Sequence, residues 1–78
     1  MLAPALTHLV RGIVDHPDEV QVIAKTSPRG DVLEVRVHPE DLGRVIGRAG
    51  RTAKALRTLV TALADGKRVR VDVVDTDF

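Results

Sequence analysis

Gly47 and Gly50 enclose Arg48 and Ala49, and Arg44, Arg51 and Lys54 lie close on either side. Glycine accepts positive φ and carries no Cβ, so a second backbone can approach it closely. If a helix starts at the second glycine, its opening amides have no partner within that helix and sit at the positive end of its dipole. Guanidinium and ammonium groups around bare amides are suited to holding a phosphate chain. Other reactive residue types are present without the spacing that their chemistry needs. His8, His16 and His38 have no ligand-type spacing, so no metal is expected. Asp72, Asp75 and Asp77 have the oxygen ligands for a hard cation but read as a solvated tail. No activated nucleophile or acid/base pair is visible, and neither catalysis nor a cofactor is expected.

Two apolar-periodic segments must hold the glycines. Residues 40–46 read as a short helix opened by Pro39, Glu40 and Asp41, where proline suits an early position and the acids oppose the dipole. Residues 51–64 read as a longer one, with Leu56, Leu59, Val60 and Leu63 at helical spacing and Asp65-Gly66 as the stop. Upstream, Leu2, Leu6, Leu9 and Ile13 mark an amphipathic helix over about residues 2–15, ended by Pro17. Residues 20–38 alternate as a hairpin closed by Ser27-Pro28-Arg29-Gly30-Asp31, with Val20, Val22 and Ala24 on one face and Leu33, Val35 and Val37 inward. Val69, Val71 and Val73 alternate as a last strand over about residues 67–74, and the tail to Phe78 is expected to fray. The expected fold is α+β, in the order α-β-β-α-α-β, with helices on one face of a three-stranded mixed sheet.

Composition narrows the partner. The chain has 78 residues, enough for one small core and one domain. Net charge is only +1, yet residues 44–57 carry Arg44, Arg48, Arg51, Lys54 and Arg57 with no acid among them. A local basic patch on a near-neutral chain makes a confined electrostatic footprint. Cysteine is absent, which fits a reducing compartment. No signal-peptide pattern or membrane-length apolar run is present, so a cytoplasmic location without membrane contact is expected. A dinucleotide fingerprint would need its glycines directly after a strand, and here an acidic helical turn intervenes.

The run Val45-Ile46-Gly47-Arg48-Ala49-Gly50-Arg51, set between the fourth and fifth elements, resembles the signature of a type II KH domain. The segments His38-Pro39-Glu40-Asp41-Leu42-Gly43-Arg44 and Arg51-Thr52-Ala53-Lys54-Ala55-Leu56-Arg57 are similar to those of the small bacterial KhpA family. The resemblance spans nearly the whole chain. In KH domains the corner clamps about four nucleotides of single-stranded RNA beside an apolar groove. Carried over, Gly47, Arg48, Ala49 and Gly50 would hold the sugar-phosphate backbone, and Arg44, Arg51 and Lys54 would neutralise phosphates. Val45, Ile46 and Ala53 would line the groove, facing Arg36 on the second strand. Ala49 departs from the longer polar residue of many relatives, which removes a side-chain contact but not the backbone approach. The single aromatic, Phe78, leaves no stacking platform of the kind that RRM or OB modules use.

The resemblance implies a non-enzymatic RNA-binding protein acting in RNA chaperoning and post-transcriptional control, and through these in cell-shape and envelope regulation. It also implies self-association and a larger partner of the KhpB type, which carries a Jag domain. The alternative reading is a protein-interaction scaffold that uses the same corner to form homo- or heterodimers.

Overall fold

The computed structural model describes residues 2–74, so the expectations placed on Asp75, Asp77 and Phe78 lie outside the described residues. The first helix, α1 (Leu2–Arg11), buries Leu6 and Val10 and is shorter than the apolar spacing predicts. It ends because Gly12 closes it, its amide donating to the carbonyls of both His8 and Leu9 at 3.2 Å. Ile13, expected on the buried stripe, is therefore beyond the helix and exposed.

Strands β1 (Gln21–Ser27) and β2 (Gly30–Arg36) form an antiparallel hairpin through Pro28 and Arg29, with Ser27 opposite Gly30. Strand β3 (Val69–Val73) pairs parallel to β2 on its other side, giving the order β1-β2-β3. Leu33 and Val35, and Val37 just beyond the strand, point into the core, while Glu34 and Arg36 point to the helix-free face. There Lys25 reaches Glu34 at 3.0 Å and Arg36 lies 3.7 Å from the same carboxylate. Edge strand β1 is less covered than its alternation suggests: Val20, just before it, is buried, Val22 is half-buried and Ala24 is exposed.

After a 3-10 turn at Pro39–Asp41, α2 (Leu42–Ile46) runs into the corner, and α3 (Arg51–Leu63) leads away from it. The core joins Leu6 and Val10 of α1, Val45 of α2, Leu56 and Val60 of α3, and the inner faces of the sheet. The fold is α+β with a three-stranded mixed sheet, in the order α-β-β-α-α-β. On α3 the buried stripe is Ala53, Leu56, Val60 and, at its cap, Ala64; Leu59 and Leu63 are 48% and 56% exposed. The expected apolar face is thus split, because the helix rests on a small sheet along one flank and its other apolar flank stays exposed among the described residues.

A buried carboxylate fixes the base of α2. Asp41, 1% exposed, accepts hydrogen bonds from the amides of Asp15 (3.1 Å) and His16 (2.9 Å) and from His16 Nδ1 (2.9 Å). The acid read as opposing a helix dipole instead ties the α1–β1 connection to the segment that leads into the corner. The His16 ring also stacks on His38, with centroids 4.0 Å apart. The Asp41 hydrogen bond holds the His16 ring above its ordinary 6.5, against the effect of desolvation. Burial pushes Asp41 up, but the donors from Asp15 and His16 outweigh it and hold the carboxyl below its ordinary 3.8.

Linkage sets the pH window of this staple. The His16 contribution is complete below pH 6.5 and is lost as pH rises through the elevated folded value. The Asp41 contribution is complete above pH 3.8 and is lost as pH falls through the depressed folded value. Thermal melts should therefore show stability declining as pH rises above 6.5, and His16→Gln should flatten that decline. An equally steep decline in the variant would assign the pH dependence elsewhere.

Candidate nucleic-acid interface

The corner is made by three residues with positive φ. Gly47 (φ 78°, ψ 170°) ends α2, its amide donating to Gly43 O at 2.8 Å. Ala49 (φ 58°, ψ 25°) and Gly50 (φ 74°, ψ 13°) then follow as two left-handed residues in succession. Gly50 N donates to Gly47 O at 3.1 Å, and Arg51 N donates to Arg48 O, where the right-handed helix resumes. Left-handed residues next to right-handed ones turn successive amides toward one side, as in anion-binding concavities. No side chain caps the start of α3.

The two glycines serve different needs. A Cβ on Gly47 would collide with the Thr52 side chain and come within 2.8 Å of Thr52 N, so the first turn of α3 folds directly against this residue. A Cβ on Gly50 would meet nothing within 4 Å, and there the requirement is conformational. Ala49 adopts the same region at a cost of about 1–2 kcal/mol. Its exposed methyl group leaves the surface of the corner low.

Arg48, Arg51 and Lys54 are exposed, and among the described residues none of their side chains makes an ion pair or hydrogen bond. Arg44 instead meets Asp15 at 3.0 Å, a pair in which both side chains are largely exposed. Such a pair contributes at most about 1 kcal/mol, so a phosphate can compete for the guanidinium.

The expected groove residues separate. Ile46 is 38% exposed beside the corner, whereas Val45 is wholly buried in the core. Ala53 is also buried, so these two side chains support the corner from beneath and offer a ligand no surface. The periodicity of α2 explains Val45: in a helix of five residues only one side turns inward, and Val45 is its buried residue. Arg36 also departs from expectation, pointing to the helix-free face beside Glu34. Arg57, part of the basic run, has a structural role, donating its Nε to Val71 O at 3.2 Å and tying α3 to β3.

One cluster has metal-ligating atom types: single ligand atoms of His16, His38 and Glu40 lie within 4.8 Å of one another. Their hydrogen bonds favour a structural role. His38 Nδ1 accepts from the Glu40 amide at 3.0 Å, which in the neutral ring leaves the proton on Nε2, and His16 Nδ1 is held by Asp41. His16 and Asp41 were not legible as partners, being 25 residues apart.

An α-β-β-α-α-β fold whose basic, glycine-bounded corner joins its last two helices is a type II KH domain. Comparison with known proteins agrees, the family model described as "KhpA/KhpB, KH domain" matching residues 4–74. The RNA-binding protein KhpA of Leifsonia xyli is 87% identical over 96% of this chain and 99% of its own length. That of Streptomyces coelicolor is 66% identical over 99% and 96% of the two chains, and that of Halalkalibacterium halodurans 47% identical over 87% and 92%. The chain belongs to the KhpA family of KH-domain proteins.

The geometry ranks the corner variants. Gly47→Ala should be the most destabilising, because the new methyl group meets Thr52 as well as an unfavourable φ. Gly50→Ala should cost about 1–2 kcal/mol from conformation alone, and Ala49→Gly should relieve a similar strain. Urea unfolding of the three variants measures the order. Equal losses for the two glycine variants would contradict the steric difference.

Proposed function

We propose that this protein is a non-enzymatic, single-stranded RNA-binding protein whose glycine corner grips the sugar-phosphate backbone. The observation that carries this reading is the low, open corner: amides at the start of an uncapped helix, with Arg48, Arg51 and Lys54 around them and unpaired among the described residues. Gly47, Arg48, Ala49 and Gly50 form the grip, Ile46 supplies apolar contact beside it, and Arg44 joins the phosphate contacts by leaving Asp15. Val45 and Ala53 hold the corner in place from below. The names of the relatives, each an RNA-binding protein, support the ligand class. In the cell the proposed role is RNA chaperoning and post-transcriptional control in the cytoplasm, bearing on cell shape and envelope. The proposed partner is a KhpB/Jag-type protein, whose KH domain falls under the same family model as this chain.

The test is Arg48→Asp combined with Ala49→Asp. Both positions are exposed, and aspartate tolerates the left-handed conformation of position 49 better than most residues. The double variant should unfold at a denaturant concentration near that of the wild type yet lose most of its affinity for labelled single-stranded RNA. With roughly four cations on phosphates, log affinity of the wild type should fall against log salt with a slope of about −3. Undiminished binding by a folded double variant would overturn the reading.

A second reading rests on its own observation. Leu59 and Leu63 form an exposed apolar strip on α3, and Ile46 is exposed at the corner. Large exposed aliphatic side chains clustered on one helix suit pairing with a second protein surface. Sedimentation with and without RNA separates the readings. Competition between dimer formation and RNA would place pairing at the corner, whereas independence would place it on the Leu59–Leu63 flank.

A further inference from the structure

The far end of α3 carries a second group of unpaired cations. Arg29 of the hairpin turn, Lys67 and Arg68 of the α3–β3 connection, and Arg70 of β3 surround a hollow of about 490 Å³. Among the described residues none of these four side chains has an ion pair or hydrogen bond, and the only carboxylate lining the hollow is Asp31. The two walls are packed against each other: Asp31 N donates to Arg68 O at 2.9 Å. Gly30 (φ 128°) permits this approach, since a Cβ there would lie 2.6 Å from Arg68 O. Like charges brought together by a tight backbone contact and left without counterions form a local positive field.

The hollow and the corner are joined by one flank of α3. At 100° per residue, Lys54, Arg57 and Thr61 fall within about 60° of arc, beside the buried stripe and opposite Leu59 and Leu63. Thr61 lines the hollow, Lys54 lies one turn from the corner, and Arg57 holds this flank over β3 through Val71 O. From Leu42 to Ala64 the chain contains no acid. A helix of 13 residues spans about 20 Å, so the hollow lies a full helix length from the corner, toward the end of the strand that the corner clamps.

We propose that the hollow between the hairpin turn and the α3–β3 connection is a second RNA-backbone site. The strand gripped at the corner continues along the Lys54–Thr61 flank and places a later phosphate among Arg29, Lys67, Arg68 and Arg70. This inference rests on the RNA-binding reading of the corner. It makes the binding site of one protomer longer than the corner's grip, so affinity should grow with RNA length beyond four nucleotides.

Fluorescence anisotropy with oligouridylates of about 5 and about 20 nucleotides tests it. Arg29→Glu with Arg68→Glu should weaken binding of the longer oligonucleotide about tenfold or more and leave the shorter one unchanged. The salt slope on the longer one should become shallower by about 1.4, at 0.7 per lost contact. The neutral pair Arg29→Gln with Arg68→Gln should give a smaller loss in the same direction, with an unchanged unfolding midpoint. Wild-type affinity for the longer oligonucleotide retained in both variants would overturn the second site while leaving the corner's role intact. Equal weakening on both lengths would also overturn it, since the effect would then pass through the corner. If neither oligonucleotide binds the wild-type protein, the reading of the corner itself fails, and the second site with it.

Discussion

The closest approach in the described structure that depends on a missing side chain is Gly47 against Thr52. With no Cβ at position 47, the end of α2 and the first turn of α3 come together across only four intervening residues. That contact sets the angle between the helices, so it sets where Arg48, Ala49 and Gly50 protrude and which way their amides face. It also places Val45 and Ala53 under the corner, where both are buried. A larger residue at position 47 would disturb the packing beneath the corner and the surface above it together. The chain thus uses one steric vacancy both to join two helices and to expose backbone.

The corner would tilt freely if α2 were not anchored, since a helix of five residues has little packing of its own. Asp41 supplies the anchor by drawing the connection after α1 onto the start of this segment. Satisfying a buried carboxylate with two amides and an imidazole avoids the cost of an unpaired buried charge. The exposed Asp15–Arg44 pair adds a weak contact at the same junction. Strong polar contacts therefore lie behind the corner, and at its front Arg48, Arg51 and Lys54 make no ion pair among the described residues.

Much of this was legible in the sequence because it depends on short-range pattern. The glycine spacing, the alternation in β2 and β3, the Asp65-Gly66 stop and the order of elements are all local signals. What was not legible depends on which neighbour each face meets. Leu59 and Leu63 share the helical spacing of Leu56 and Val60, but the three-stranded sheet covers only one flank of α3. Val45 and Ile46 are adjacent and similar in chemistry, yet helix phase buries one and exposes the other. Arg36 obeys its strand alternation and for that reason faces away from the helices. Asp41 reads from the sequence as an acid opposing a helix dipole, because the His16 partner that draws it inward is remote in sequence. The left-handed Ala49 carries no signal at all, since alanine ordinarily favours the right-handed helix.

The parallel pairing of β2 with β3 has a consequence for how the molecule assembles. Parallel neighbours cannot be joined by a tight turn, and here the crossover between them contains α2, the corner and α3. The β1–β2 hairpin needs only local contacts, whereas registering β3 requires closing a long loop first. The glycine corner lies inside that loop, so it acquires its shape only when the ends of the crossover have met. A nascent chain released before Val69–Val73 would have every residue of the corner and still lack the frame that orients it.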